Sequence, residues 1–238
     1  VSKVKAPAQQ VISLKGHVAD GPEWRVTSVQ TKRTKSRPFA PFITSTLQQT
    51  AASHLGFTAQ STMRIAQDLY EGVPIDGMGS VGLITYMRTD STALAGEAIK
   101  MARHYIGSQF GGPYLPPKAN FFSSSNKSAQ EAHEAIRPTD LRLDPKRIGA
   151  DPAQTRLYNL IWQRFIASQM PPASFTIVEV EIKVGSEGTS LPYTFRARSR
   201  RQVFDGYQAI YQEKVEDDEQ PDADDELTEL PPLIKDDP

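Results

Sequence analysis

The most informative stretch of this sequence is Gly82-Leu83-Ile84-Thr85-Tyr86-Met87-Arg88-Thr89-Asp90-Ser91-Thr92, a short apolar run followed by a tyrosine, a cation and a carboxylate. A phenol is almost wholly protonated at neutral pH, so a nucleophilic tyrosine needs a nearby positive charge or a base. The apolar run predicts a strand over 82–86. If that strand persists, Tyr86 and Arg88 share a face, because side chains at i and i+2 do so. On this pattern alone, a buried strand tyrosine beside an exposed arginine is the more common interpretation.

Three further segments give this stretch a context. Residues 40–49 are APFITSTLQQ, residues 66–72 are AQDLYEG, and residues 128–139 are SAQEAHEAIRPT. Together with 82–92 they resemble, in the same order, four motifs of the bacterial type IA DNA topoisomerases: the proline-phenylalanine entry, the helix before the active site, the active-site tyrosine and the histidine signature. The similarity extends over roughly residues 24–212, and ordered motifs of this length argue against a chance match.

The resemblance implies a role for individual side chains. Tyr86 would attack a DNA phosphodiester, forming a 5′-phosphotyrosine and releasing a 3′-hydroxyl, and the reverse attack would reseal the strand without an energy cofactor. Arg88 would neutralise charge on the phosphate or favour the phenolate. Asp90 and His133 would position the phosphate or relay a proton. Arg137, four residues beyond His133, would share its face if the segment is helical and would contact a phosphate.

Charge is distributed unevenly along the chain. Residues 1–212 carry 25 basic and 16 acidic side chains, whereas residues 213–238 carry 2 basic and 12 acidic ones. A basic body suits DNA as a partner, and the resemblance implies a preference for single-stranded segments. Lys32 and Arg33 belong to a basic run at 32–37, and a second run lies at 196–201. Such runs either follow a DNA backbone or protect a strand edge against aggregation, and the second use is the more common.

The expected metal chemistry lies outside this sequence. Members of the resembled family bind Mg²⁺ through acidic residues of an N-terminal Toprim domain, and nothing here resembles that domain. Asp222-Ala223-Asp224-Asp225-Glu226 has the right spacing, but it lies in an acidic run without a preceding apolar strand, so we predict a solvated tail. We therefore expect no metal site or cofactor in this fragment, and Mg²⁺ in a full-length enzyme. Without the other domains of its own full-length chain, the fragment should cleave DNA inefficiently.

Composition narrows the class of protein. With 238 residues, of which 38% are hydrophobic, the chain can bury a sizeable core. It contains no run of about 18 apolar residues and no charged-then-apolar leader, which predicts neither a membrane span nor a signal peptide. The absence of cysteine excludes disulfides and cysteine-based zinc sites. With the resemblance, these features indicate the bacterial cytoplasm and its nucleoid, and leave an organelle of bacterial origin open.

Proline residues separate two kinds of periodicity. Between Pro41 and Pro171 the pattern is helical, with a glycine-rich loop expected over 73–81; helices are predicted at 45–55, 58–72, 93–110 and 154–169. Ser45 with Gln48 predicts a capping box for the first helix, and Thr58 predicts a cap for the second. Outside this region the period is two, and strands are predicted at 24–31, 175–184, 191–200 and 202–211.

These patterns predict an α+β fold. Residues 1–41 and 171–212 would form a discontinuous β-rich arch or hinge domain, and residues 42–170 an inserted, mainly helical domain that carries the tyrosine. Residues 213–238 would continue the arch or be flexible. The resemblance implies the same arrangement. The two short helices joined by Gly56-Phe57-Thr58 also fit a non-catalytic, helix-turn-helix-like DNA-binding module or an ordinary helical hairpin.

Overall fold

The computed structural model describes residues 24–122, 134–146, 148, 150–184, 194–212 and 233–235. These residues form both helices and sheets, which confirms the predicted α+β class. The helices are α1 (Thr44–Leu55), α2 (Ala59–Glu71), α3 (Gly96–Gln109) and α4 (Pro152–Ser168), and the strands are β1 (Trp24–Ser36), β2 (Val73–Ile75), β3 (Gly79–Val81), β4 (Ala173–Val184) and β5 (Thr194–Phe204). Short 3₁₀ turns lie at Gly112–Tyr114 and Gly206–Ala209.

The described residues fall into two compact units. One contains 24–32, 177–184, 194–200 and 233–235, and the other contains 33–122, 134–146, 148, 150–176 and 201–212. The three long strands form a sheet in the order β1-β4-β5. The proposed boundaries of an arch domain (1–41 with 171–212) around an inserted domain (42–170) stay a prediction.

The first unit is a polar part of this sheet. Glu179 accepts a hydrogen bond from Lys32 at 2.9 Å, and Arg196 pairs with Glu181 at the same distance. Val26 and Val180 are buried in it. These pairs place complementary charges on neighbouring strands, which is typical of residues that keep a sheet soluble.

The second unit is built around α4. Its apolar side chains form the core of this unit, since Leu157, Ile161 and Phe165 are fully buried. The helix packs against α1, α2 and α3. The Arg164 guanidinium is buried with them, where Nε donates to the Ala40 carbonyl at 2.6 Å. The helix therefore holds the chain that leads into α1.

The termini of α1 and α2 follow from local chemistry. Helix α1 ends at Leu55, as predicted, with Gly56 following in the left-handed conformation (φ 70°). The Thr58 hydroxyl accepts the Ser61 N–H at 3.1 Å, which confirms the predicted cap of α2. The predicted cap at Ser45 is wrong. The helix begins one residue earlier, and the Thr46 hydroxyl accepts the Ile43 N–H at 3.1 Å instead.

Two further predictions are corrected between α2 and the tyrosine stretch. Residues 73–81 are not a loop but an antiparallel hairpin, in which Val73 pairs with Val81 and Ile75 with Gly79. Gly77 and Gly79 adopt positive φ, which allows the reversal. The predicted strand over 82–86 is absent, and among the described residues a single bridge joins Ile84 to Pro138. The N–H groups of Leu83 and Arg137, which would extend a ladder, donate instead to the Leu69 carbonyl and the Thr85 hydroxyl.

The predicted strand over 202–211 is also wrong. Strand β5 ends at Phe204, and a 3₁₀ turn follows. Gly206 causes the change, because its φ is 53° and an added Cβ would lie 2.5 Å from the carbonyl oxygens of Pro171 and Pro172. This close approach lets the Tyr207 N–H donate to the Pro171 carbonyl at 3.0 Å.

Candidate active site

The stretch around Tyr86 is extended and alternates in burial. Met87, Thr89 and Ser91 are buried, whereas Tyr86 is 45% exposed and Arg88 and Asp90 are also exposed. A period of two therefore continues although no regular strand forms. Tyr86, Arg88 and Asp90 thus form an exposed row on a segment whose alternate side chains anchor it.

Thr44 holds the buried side of this segment. Its hydroxyl accepts the Thr89 N–H at 2.9 Å and lies 2.8 Å from the Met87 carbonyl, to which it can donate. The Thr44 N–H in turn donates to the Thr89 carbonyl at 2.9 Å. The first turn of α1 therefore fixes the backbone on both sides of Arg88.

A second set of hydrogen bonds fixes the backbone before Tyr86. The Thr85 N–H donates to the Arg137 carbonyl at 2.9 Å, and its hydroxyl donates to the Ala135 carbonyl at 2.7 Å. Two residues earlier, Leu83 accepts from the Thr139 N–H at 3.0 Å and donates to the Leu69 carbonyl at 2.7 Å. Tyr86 is thus attached to a backbone that residues 134–139 and the end of α2 hold in place.

Gly82 permits the close approach to α2. A Cβ at this position would lie 2.8 Å from the Tyr70 carbonyl oxygen, which is closer than real Cβ contacts. The approach brings together the two tyrosine rings, whose centroids are 5.4 Å apart with planes inclined by 66°. This edge-to-face contact orients the Tyr86 ring, and no sequence pattern predicted it for Tyr70.

Arg137 was predicted to contact a phosphate from a helix, but 134–137 is not helical. Its side chain is only 14% exposed, and Nη2 lies 2.6 Å from Glu134 Oε2. Nη1 donates to the Pro138 carbonyl at 2.9 Å. Glu134 also accepts the N–H of Ala95, the residue that precedes α3. In this structure Arg137 therefore fastens 134–138 to the start of α3.

The segment beyond Thr139 is fastened in a similar way. Arg142 donates to both carboxylate oxygens of Asp140, and this guanidinium lowers the pKa of Asp140 below its usual range. The Tyr158 hydroxyl of α4 donates to the Leu143 carbonyl at 2.9 Å, and burial raises the pKa of this phenol. His133, by contrast, lies outside the described residues, so its role beside Asp90 stays a prediction.

Comparison with known proteins identifies this arrangement. A family model described as DNA topoisomerase matches residues 4–238. The chain belongs to the bacterial type IA DNA topoisomerases. It is 49% identical over 189 residues to DNA topoisomerase 1 of Haemophilus influenzae and 43% identical over 232 residues to that of Xylella fastidiosa strain 9a5c, matches that cover 79% and 97% of the chain.

A solved structure agrees with the sequence matches. Full-length topoisomerase I from Thermotoga maritima is 35% identical, with a TM-score of 0.72 over 92% of this chain and 33% of its own length. The chain spans 20% of the Haemophilus relative and 27% of the Xylella relative. Most of the length of a full type IA topoisomerase therefore has no counterpart in these 238 residues.

The other two predicted DNA contacts, Lys32 and Arg33, lie on β1. Lys32 is paired with Glu179, and Arg33 is exposed one residue further along the strand. Their contact with DNA stays a prediction.

The described residues contain neither a recognisable metal-binding cluster nor a membrane-spanning helix. Across the ranges from 24 to 235 that the structure describes, no three Asp, Glu or His side chains are grouped so that they could hold a metal ion. The acidic spacing at 222–226 lies outside the described residues, so the expectation that this fragment has no metal site stays a prediction. In the same ranges, no helix is both long and apolar enough to cross a membrane.

Proposed function

We propose that this chain supplies the nucleophilic tyrosine with which a type IA topoisomerase breaks and reseals one DNA strand, changing DNA topology without ATP. The observation that supports the proposal is the position of Tyr86. Its ring is 45% exposed, although the next residue, Met87, is fully buried. A nucleophile on a fixed backbone meets a phosphodiester without first being ordered, which lowers the entropic part of the barrier.

The proposed reaction exchanges one ester for another. A bond forms between Tyr86 Oη and phosphorus while the bond from phosphorus to the 3′ oxygen breaks; the phenol loses its proton and the 3′ oxygen gains one. The 5′-phosphotyrosine keeps the ester bond, so the 3′-hydroxyl can reverse the reaction. Arg88, exposed in the same row, would stabilise the charge on the non-bridging oxygens. Asp90 would orient His133, whose imidazolium would hold the phosphate or relay the proton.

Contact of Arg137 with a phosphate stays a prediction, and its guanidinium would have to leave Glu134 and the Pro138 carbonyl to make it. Arg137 also has a positioning role in the proposal, since it fastens the segment that accepts hydrogen bonds from Thr85. Lys32 and Arg33 remain candidate backbone contacts.

Other parts of a full-length enzyme complete the proposal. The proposed substrate is DNA, with single-stranded segments preferred, as the family membership suggests. Mg²⁺ and the acid that protonates the 3′ oxygen would come from a Toprim domain elsewhere in the enzyme. We therefore expect this chain alone to form little adduct, and we place the enzyme in the bacterial nucleoid.

The substitution Tyr86→Phe tests the nucleophile in a full-length protein that carries this segment. A single-stranded oligonucleotide is labelled at its 3′ end, incubated with Mg²⁺ and protein, denatured and resolved by gel electrophoresis. We expect the label to migrate with the parent protein and not with the variant, because the tyrosine joins the 5′ end of the downstream fragment. Tyr70→Phe is the matched control and should keep the adduct.

Two results would contradict the proposal. An adduct formed by Tyr86→Phe would exclude this nucleophile, and label carried only from the 5′ end of the oligonucleotide would reverse the polarity. A substantial adduct formed by the 238-residue chain alone would overturn its expected inefficiency. If the full-length parent binds DNA but never forms an adduct, the helix-turn-helix-like alternative, which uses α1 and α2 without chemistry, gains support.

A further inference from the structure

A polar groove lies between α2 and Arg88. It is lined by Gln60, Met63, Arg64, Gln67, Asp68 and Arg88. The α2 members lie at 60, 63–64 and 67–68, the i, i+3, i+4, i+7, i+8 spacing of residues that share one face of a helix. Tyr70 is three residues beyond Gln67, and its ring touches Tyr86. The groove face of α2 therefore leads towards the proposed nucleophile.

Two cations in this groove are available to a ligand. Arg64 and Arg88 are both exposed, and no described residue forms a hydrogen bond or ion pair with either guanidinium. Other described cations are paired with carboxylates, as in Arg137 with Glu134 and Lys32 with Glu179. Guanidinium groups bind phosphate oxygens in a planar, bidentate manner.

The other polar members favour a nucleotide over a simple anion. Asp68 places a carboxylate in the same groove, which disfavours a site made only for phosphate. A carboxylate accepts hydrogen bonds from exocyclic amino groups of bases, and glutamine amides both donate to and accept from base edges. The groove therefore offers partners for bases and for the backbone.

Tyr70 adds a surface for stacking. Its ring is 41% exposed at the last turn of α2. Unpaired bases stack on exposed aromatic rings in proteins that bind single strands, whereas bases of a duplex are already stacked. An exposed tyrosine beside two unpaired arginines is the combination expected for a single strand.

We infer that this groove binds the single-stranded DNA segment next to the phosphate attacked by Tyr86, with Arg64 on a neighbouring backbone phosphate and Tyr70 stacked on a base. The inference rests on the proposed function, which places DNA at Tyr86. It assigns two further contacts, neither of which takes part in the chemical step.

The test compares Arg64→Ala, Tyr70→Ser and Lys100→Ala in a full-length protein that carries this segment. Binding of a fluorescein-labelled, mixed-sequence single strand of about 20 nucleotides is followed by anisotropy over a salt series. Arg64→Ala should weaken binding and reduce the slope of log K against log[salt] by about 0.7, the value for one phosphate contact on a single strand. Tyr70→Ser should weaken binding at least about fivefold, and Tyr70→Phe should restore it.

Lys100 lies exposed on α3, away from the groove, so Lys100→Ala controls for the loss of one charge and should bind like the parent. Unchanged affinity and salt slope for Arg64→Ala, or an equal loss for Lys100→Ala, would overturn the inference. A DNA affinity of Tyr70→Ser equal to that of the parent would also overturn the inference. If Tyr70→Ser unfolds, the salt slope of Arg64→Ala decides alone, because that side chain is exposed and its removal leaves the core intact.

Adduct formation separates this inference from the proposed function. Lys100→Ala, which leaves Tyr86, Arg88 and the groove intact, should form the covalent adduct as the parent does. If the groove variants bind DNA normally and Tyr86→Phe forms no adduct, the inferred role of the groove is overturned and the proposed nucleophile is retained. Persistence of the adduct in Tyr86→Phe would overturn the proposed nucleophile whatever the groove variants do.

Discussion

Replacing Thr44 with valine tests whether the tyrosine segment is held rigid by α1. The Thr44 hydroxyl accepts the Thr89 N–H at 2.9 Å, and Thr89 is only 8% exposed. Valine keeps the branched shape but removes the acceptor, so a nearly buried donor loses its partner. Such a loss costs about 1–3 kcal/mol. The donation to the Met87 carbonyl is lost at the same time, which favours the upper half of this range.

The expected change in thermal stability follows from the size of the chain. For a protein of this length, each kcal/mol corresponds to about 2–4 °C in Tm. A cost of about 2–3 kcal/mol should therefore lower the Tm of the 238-residue chain by roughly 4–12 °C. Hydrogen exchange followed by mass spectrometry gives the local measurement, since amides of 87–91 should exchange faster in the variant than in the parent.

Thr31→Val is the matched control, because it removes a hydroxyl from an exposed position of β1. Surface substitutions of this kind change stability by less than about 0.5 kcal/mol. If Thr44→Val and the parent unfold at the same temperature with equal exchange over 87–91, the hydrogen bonds of Thr44 do not hold the segment. An equal loss in Thr31→Val would attribute the effect to the hydroxyl in general.

Two other perturbations test the supports of the site. Gly82→Ala places a Cβ 2.8 Å from the Tyr70 carbonyl oxygen and should cost about 1–3 kcal/mol in urea unfolding, whereas Gly107→Ala, with an ordinary 3.5 Å contact, should cost nothing. Asp140→Asn tests pH dependence. Arg142 lowers the pKa of Asp140, so the stabilisation is present above the unfolded pKa of about 4 and is lost as the pH falls through the folded value. The variant should therefore be less stable than the parent at pH 7 and equal to it at the acid end; a difference that persists there would exclude this cause.

Periodicity predicted the helices because their stabilising contacts are local or repeat along one face. Thr58 caps α2 through a residue three positions away, and the buried face of α4 is visible as apolar spacing. Periodicity could not predict the structure of the tyrosine stretch, because its hydrogen-bond partners are distant in sequence. Thr44 lies 45 residues from Thr89, and Thr85 lies 50 residues from Ala135. Neither pairing leaves a periodic signal.

The candidate site shows the same division. Tyr86, Arg88 and Asp90 were predicted to be functional through a resemblance, and their common exposure follows from spacing alone. Arg137 was assigned by a helical spacing that does not exist, and its partner Glu134 was visible only in three dimensions. Tyr70 and Arg64 were overlooked because a helix pattern does not say which exposed face borders a catalytic residue. Their position beside Tyr86 depends on the close approach of Gly82 to the Tyr70 carbonyl, which no sequence pattern indicates.

The hydrogen bonds around Tyr86 also limit how the proposed enzyme can move. The backbone from Leu83 to Thr89 is tied to Leu69, Thr44 and residues 134–139. A hinge within this segment would break several of these bonds at once, each leaving a buried polar group without a partner. A covalent phosphotyrosine would also pull on this backbone whenever the broken strand ends separate. We therefore expect strand passage to move Tyr86 together with α1, α2 and 134–139 as one body, with the hinge residues outside the segment.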